Sequence, residues 1–350
     1  MGIDLFQPAD ENKTYLENKM KIFVTGATGF IGSALVRALA ESGHTVHALF
    51  RSKTKTSAVR HRNVRLFKGN ILDSKSIRKA VSGCHRVFHT AAMTKIWSKK
   101  PNRYHDINVA GTKNVLEAAL HSGVKKVVIT STAGVFGPSI NGCVNENTIK
   151  KTRCFTEYEK TKAEADSLAL SYMKKDLHIL MVCPTRVYGP GLIKESNSTT
   201  RMIQLYIKGK WRIIPGSGKN IGNYVYIDDV VKGHLLAMEK GHPGEKYILG
   251  GENISYSGFF TTLKMVSQKD YTLFKLPLIM MISLSFVMKC LAEGFNVYPL
   301  ITPEMVKKLT CDWVVSSDKA VRELGYSPLS LEQGIRKTVE WLNTLKKETF

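Results

Sequence analysis

Residues 25–32 read Thr-Gly-Ala-Thr-Gly-Phe-Ile-Gly, between an apolar, β-rich run at Lys21–Thr25 and a helical pattern at Ile31–Ser42. A strand, a glycine-rich turn and a helix in immediate succession bring the unpaired amides of a helix N-terminus to one point, which is an anion site. Gly26 permits the tight turn, Gly29 lets the backbone approach a pyrophosphate, and Gly32 lets the helix pack close on the sheet. The run predicts a Rossmann domain for a nicotinamide dinucleotide, with Gly26, Thr28, Gly29, Phe30 and Ile31 along the phosphates.

The pattern continues with β-rich runs at Thr45–Phe50, Val64–Lys68, Arg86–His89, Lys126–Thr130 and His178–Val182. Helix-like segments lie between them, including Ser74–Ser82, Arg103–Ser122 and Glu157–Lys174. Such alternation predicts an α/β chain with a doubly wound parallel sheet and helices on both faces. After Pro184 the order changes, glycine and proline cluster at 189–191 and 215–218, and a smaller C-terminal substrate domain is expected. The expected division is a flexible extension at 1–19, a dinucleotide domain at 20–185 and a mainly substrate-binding part at 186–350, with 223–240 returning to the Rossmann sheet.

Uncharged, mostly apolar residues fill 276–288, too few for the roughly 20 of a spanning helix. The run is read as a buried or pocket-lining helix, with peripheral membrane contact as the second reading because the chain is basic. The net charge of +22 favours polyanions of any kind, a phosphorylated cofactor included. The basic residues are scattered without a nucleic-acid-binding motif, so no specific nucleic acid is expected. Six cysteines without a CxxC pair or His/Cys ligand spacing read as reduced thiols, with no metal site. The first 19 residues lack a signal-peptide pattern, and a cytoplasmic location is expected.

The end of the second strand sets the choice of dinucleotide, since an acidic residue there binds ribose hydroxyls and repels a 2′-phosphate. Here Arg51, Ser52 and Lys53 follow Phe50, which favours NADP(H) over NAD(H). Hydride transfer to a carbonyl also needs a proton donor, and a tyrosine serves when a cation lies near it. Tyr-x-x-x-Lys puts both side chains on one helix face. The spacing occurs at Tyr15/Lys19, Tyr158/Lys162, Tyr206/Lys210 and Tyr271/Lys275. Only Tyr158/Lys162 follows a strand ending in hydroxyl residues, Thr130-Ser131-Thr132, and precedes another strand leading to Pro184.

In order along the chain, Thr25–Gly32, Asn108–Thr112, Thr130–Gly137, Tyr158/Lys162, Pro184–Gly191, Tyr226–Val230 and Gly244–Gly251 resemble the extended short-chain dehydrogenase/reductase family. The resemblance runs from about Lys21 to Trp341. It implies that Tyr158 is the proton donor or acceptor and that Lys162 holds the nicotinamide ribose and lowers the tyrosine pKa. Thr132 then hydrogen-bonds the substrate carbonyl, with Ser131 a lesser candidate. Ala91, Ala92, Asn108, Thr130 and Pro184 would border the cofactor, and a homodimer is implied. Gly69-Asn70-Ile71 departs from the family at its middle position, where Asp usually meets the adenine; Asn70 and Ile71 are still placed there.

Family dehydratases carry Asp-Glu after the catalytic Thr, whereas this chain has Ala133-Gly134. Nucleotide-sugar enzymes commonly carry Asn and Arg where this chain has Arg186 and Gly222. Pro184–Gly191 and Tyr247–Asn253 look most like the dihydroflavonol 4-reductase-like branch. The reading is an NADP(H)-dependent oxidoreductase reducing an apolar ketone or aldehyde, with Tyr158 as proton donor and Thr132, Arg186 and Val187 touching substrate. An epimerase of sugars or nucleotide sugars that keeps NAD(P) bound is the alternative. A non-catalytic dinucleotide-binding regulator is third, disfavoured by the intact Thr132, Tyr158 and Lys162.

Overall fold

Five apolar segments of the first half are strands buried along nearly their whole length: β1 (Lys21–Thr25), β2 (Thr45–Phe50) and, beyond the more exposed β3 (Val64–Lys68), β4 (Arg86–His89), β5 (Lys126–Thr130) and β6 (His178–Pro184). Strands buried on both faces need helices above and below, the condition of a parallel sheet. The computed structural model describes residues 19–52, 56–140, 142–149, 152, 154–193, 197–295 and 297–347. The second half adds β7 (Arg186–Tyr188), β8 (Ile213–Pro215), β9 (Ile221–Tyr226), β10 (Lys246–Leu249), β11 (Glu252–Ser255) and β12 (Phe274–Leu276). The large sheet has the order β10-β6-β5-β4-β1-β2-β3, parallel throughout. The winding reverses between β1 and β4, and the crevice at the carboxyl ends of those two strands is where such sheets bind ligands.

The helices are α1 (Phe30–Glu41), α2 (Ser74–Val81), α3 (Asn102–His105), α4 (Gly111–His121), α5 (Glu157–Ser171), α6 (Ser198–Ile207), α7 (Ile227–Lys240), α8 (Tyr256–Ser267), α9 (Leu278–Phe295), α10 (Pro303–Leu309), α11 (Asp318–Leu324) and α12 (Leu331–Lys347). On one face of the sheet α1, α7 and α11 bury Leu35, Leu39, Val230 and Leu324. On the other, α2, α4 and α5 bury Ile77, Leu116 and Ala169. A third core, around Tyr206, Phe259 and Ile335, holds the substrate half together.

The helical pattern at Arg103–Ser122 is broken: α3 and α4 are joined by a π turn at Asp106–Ala110, a local widening that often marks a functional site. Residues 223–240 return to the large sheet through a helix. Strand β9 pairs with β7 and β11 in a separate three-stranded sheet, α7 packs on β5, β6 and β10, and β10 supplies the extra edge strand. The run at 276–288 is not buried. It forms the end of β12 and most of α9, whose inward face is the narrow seam of Met281, Ser285 and Ala292, while Ile279 is 78% exposed. Of the expected N-terminal extension, residues 1–18 lie outside the described residues.

Candidate active site

The glycine loop lies at the reversal between β1 and β4. Gly26 has φ +66°, and a Cβ there would stand 2.6 Å from the Ala91 nitrogen, so only glycine lets the turn pass this close to the chain leaving β4. A Cβ on Gly32 would collide with the Gly26 carbonyl. Buried His89 fixes the two strand ends by hydrogen-bonding Thr25 Oγ1 at 2.6 Å and Thr112 Oγ1 at 3.0 Å. Burial, with the Lys162 charge adding to it, pushes His89 down to about 3, so its ring is a neutral brace. Thr28 is half-buried and Gly29, which caps α1, is exposed. The Phe30 side chain packs into the third core, so its contribution to a phosphate is the amide of the first helical turn, which Ile31 shares.

Arg51 is exposed directly after β2, where a ribose 2′-substituent is expected, and Lys53 lies outside the described residues. Asn70 is exposed beyond β3 and spends its side-chain oxygen on the Leu72 amide, at 3.2 Å. The Ile71 side chain is buried under Gly111, where a Cβ would come within 2.6 Å of it. Ala91 and Ala92 are half-buried after β4.

Two of the residues expected along the cofactor, Asn108 and Thr130, have protein partners for their side chains. Asn108 is fully buried in the π turn, accepting from the Met93 amide at 2.7 Å and donating to Thr161 Oγ1 at 2.9 Å. Its side-chain bonds thus brace the post-β4 loop against α5. The Thr130 hydroxyl is taken by His234 of α7 at 2.8 Å.

Thr156 caps α5 by accepting from the Glu159 amide, and the helix then carries Tyr158, Lys162 and Asp166 on one face. Thr132 accepts from the Gly134 amide at 3.2 Å, and its hydroxyl also meets the Tyr158 hydroxyl, a bond that favours the phenolate. Burial outweighs that bond, with Glu159, Asp166 and Cys183 adding to it, and holds Tyr158 well above the ordinary tyrosine range. Lys162 is 1% exposed, yet among the described residues no hydrogen bond or ion pair takes its ammonium. Burial lowers its pKa and the nearby Asp166 raises it. A buried cation with no described partner, on the same helix face as Tyr158, fits a dinucleotide whose ribose hydroxyls would complete its coordination.

Ser131, neighbour of Thr132, turns away from the cleft and donates to Asp166 Oδ2 at 2.7 Å; Lys246 reaches the same oxygen at 3.0 Å. Asp166 is completely buried and was not singled out by its sequence, although Tyr-x3-Lys-x3-Asp on one helix face is a readable signal. A second missed group, this one without a local signal, is Glu159, buried beside Tyr158, which accepts from the Phe155 amide and pairs with Lys308 of α10. A Cβ on Gly134 would come within 2.9 Å of that carboxylate, so this position does not accept the acid of the dehydratase pattern without displacing Glu159.

The cleft in front of Thr132 is lined by Ala133, Pro184, Arg186, Asn223, Lys308 and Trp313. Val187, expected there, faces the other side of β7 and packs into the cores. Arg186 donates to the Tyr224 hydroxyl at 3.1 Å and stacks between the rings of Tyr224 and Tyr256 at 5.4 and 5.2 Å. It makes no ion pair among the described residues. Its guanidinium fills the space over Gly222, where a Cβ would stand 2.5 Å from Nη1. Among the described residues no group of three or more His, Cys, Asp or Glu could hold a metal.

The family model for the NAD dependent epimerase/dehydratase family matches residues 22–250. Sterol demethylase protein B of Methylococcus capsulatus is 31% identical over 328 residues, covering 92% of this chain and 98% of that protein. The 2-alkyl-3-oxoalkanoate reductase of Stenotrophomonas maltophilia is 29% identical over 330 residues, covering 91% and 98%. Among solved structures, a UDP-glucose 4-epimerase of Thermotoga maritima with UDP-glucose superposes with a TM-score of 0.76 at 26% identity, covering 93% of this chain and 100% of that one.

Proposed function

The chain belongs to the NAD-dependent epimerase/dehydratase family and is a nicotinamide-dependent enzyme of the extended short-chain dehydrogenase/reductase type, and from that premise we propose that it reduces a ketone or aldehyde with NADP(H). The observation that carries this reading is Tyr158, held as a protonated phenol against Thr132 with the buried ammonium of Lys162 one turn further on. When bound, the reduced nicotinamide supplies a hydride to the carbonyl carbon. Thr132 holds the carbonyl oxygen, Tyr158 donates its proton to that oxygen as the C–O double bond opens, and solvent returns a proton to the phenolate. Lys162 favours the transient phenolate by its charge and holds the ribose through its free donors. Asp166 keeps Lys162 charged, and the Arg51 guanidinium supports the 2′-phosphate that separates NADP from NAD.

The substrate reading follows from the cleft walls. Pro184, Ala133 and Trp313 suit an apolar body, and Arg186 adds one fixed positive charge with no carboxylate of its own. An apolar oxo compound carrying an acid group answers both, and the oxoalkanoate in the name of the Stenotrophomonas relative has that chemistry. Arg186 also keeps a second reading in play, because a guanidinium can face a nucleotide-sugar diphosphate, and the Thermotoga structure is an epimerase with such a ligand. The two separate on purification: an epimerase retains its dinucleotide and consumes no added NADPH, whereas a reductase consumes NADPH in proportion to product. Tyr158→Phe tests the chemistry directly. Turnover is expected to fall by at least ~100-fold with cofactor affinity within about threefold of wild type; a variant that still turns over removes Tyr158 from the proton-donor role.

A further inference from the structure

Helix α9 has a mean hydropathy of 1.7 over 18 residues with 17% of the segment buried, the composition of a lipid-facing helix on the outside of an otherwise well-packed molecule. We propose that α9 and its flanks rest on the surface of an anionic lipid membrane, lying in its plane. The apolar side chains that point outward include Ile279, Phe286 and Phe295, and Phe274 before the helix and Leu300 after it extend the strip. An exposed apolar surface this continuous on a monomer marks an interaction site.

The helix is tied down at both ends. Ahead of it β12 pairs with β8, Phe274 opposite Ile213. Behind it Tyr298 stacks edge-on against Trp97 and accepts from the Ile96 amide at 3.3 Å. With Met281, Ser285 and Ala292 packed inward along its length, α9 is positioned to lie along an interface.

Charge selects the occupant. Arg212 and exposed Lys275 stand at the N-terminal end of the strip. At the other end Lys95 lies 5.5 Å from the Tyr298 ring, and exposed Lys99 and Lys100 follow on the same loop. The acids nearby include exposed Glu293, half-buried Glu304, which pairs with Lys289 at 3.5 Å, and exposed Asp270, which pairs with Lys264 at 2.8 Å. A second copy of a chain with net charge +22 would set these cations against one another, whereas anionic headgroups neutralise them while the acyl region receives the apolar strip. The site is also adjacent: α9 packs on α10, whose Lys308 lines the catalytic cleft. The docking itself rests on α9 and its flanks and stands apart from the identity of the substrate.

The test is flotation of the full chain with phosphatidylcholine vesicles, with and without a minor fraction of phosphatidylglycerol, at low and high salt. The chain is expected to float with the anionic vesicles and to be released by salt in part, since screening removes the headgroup attraction and leaves the apolar contact. Ile279→Glu/Phe286→Glu is expected to reduce flotation at least ~10-fold while the melting temperature and dinucleotide binding stay unchanged. Lys99→Glu/Lys100→Glu/Lys275→Glu, which leaves the helix intact, should lose the preference for anionic over neutral vesicles. Wild-type protein that stays in the soluble fraction with anionic vesicles overturns the proposal. So does flotation indifferent to both sets of substitutions, or a dimer by light scattering that the α9 substitutions dissociate without any vesicle binding.

Discussion

Replacing Asp166 by Asn keeps the shape of the α5 face and removes one buried negative charge. Its carboxylate accepts from Ser131 at 2.7 Å and Lys246 at 3.0 Å, and it supports the charge of Lys162 one turn away. At an effective dielectric near 20, opposite charges 3.0 Å apart attract by roughly 5 kcal/mol before desolvation is counted. Removing one partner of a fully buried pair costs about 3–5 kcal/mol, but the Lys246 side chain is 25% exposed and can rehydrate, so a net loss of about 2 kcal/mol is expected. Over 350 residues at roughly 2.1 cal/mol/K each, the unfolding entropy is about 0.7 kcal/mol/K, and the midpoint should fall by about 3 °C. A stability change of this size would follow from damage to any buried acid, so the decisive assay is the pH profile. Without Asp166 the Lys162 ammonium loses its favourable charge, its pKa falls further, and the alkaline limb of kcat/KM moves to lower pH. An Asn variant that melts lower with an unmoved alkaline limb would reduce Asp166 to a packing role and refute the electrostatic argument.

Arg51→Glu should weaken NADP(H) binding by about 10–100-fold, the worth of one charge-assisted contact to phosphate, and leave NAD(H) within about threefold; titration by nucleotide fluorescence reads both. Gly222→Ala drives a methyl group into Arg186 and should raise the KM for an acid-bearing oxo substrate by about 10-fold with kcat little changed, while the corresponding methyl ester is unaffected. Lys126 is buried with its ammonium on the Gly241 carbonyl, and burial, reinforced by Arg86, pushes it down to about 8 from 10.5. Between those values the unfolded chain binds more protons, so this residue makes stability rise with pH, by up to roughly 3 kcal/mol. The melting midpoint of wild type relative to Lys126→Met should therefore rise with pH across that window, and a constant gap would contradict the assignment.

The fold was legible because its determinants are local. Each strand of the first half is a short apolar run between turn residues, and the glycine spacing at 26, 29 and 32 follows from contacts within one strand–turn–helix unit and the next strand over. Tyr158 and Lys162 were legible for the same reason, since helical spacing alone puts them on one face. Residues whose roles depend on distant partners were not. The bonds of Asn108 to Met93 and Thr161 come from the π turn, which its sequence does not announce. Thr130 stands in a hydroxyl run that points toward the cofactor, and His234, 104 positions away, takes its hydroxyl. Glu159 reads as a solvated helix acid until α10 brings Lys308 across from 149 positions downstream.

The run at 276–288 shows the limit in its sharpest form. Apolar composition states what a segment would gain by leaving water and says nothing of which surface receives it. In α8 the receiving surface is α12, reached by folding the C-terminal helix back across the substrate half, and Phe259, Phe260 and Leu263 are buried in consequence. Helix α9 has stronger apolar character than α8 but its main packing partner is the short α10, and among the described residues only a seam at 281, 285 and 292 is buried along it. On the proposal above, what the described fold leaves uncovered on α9 is received by lipid. The arrangement of lysines around it, rather than the hydrophobicity itself, is the part of the sequence that distinguishes a lipid headgroup layer from a second protein surface.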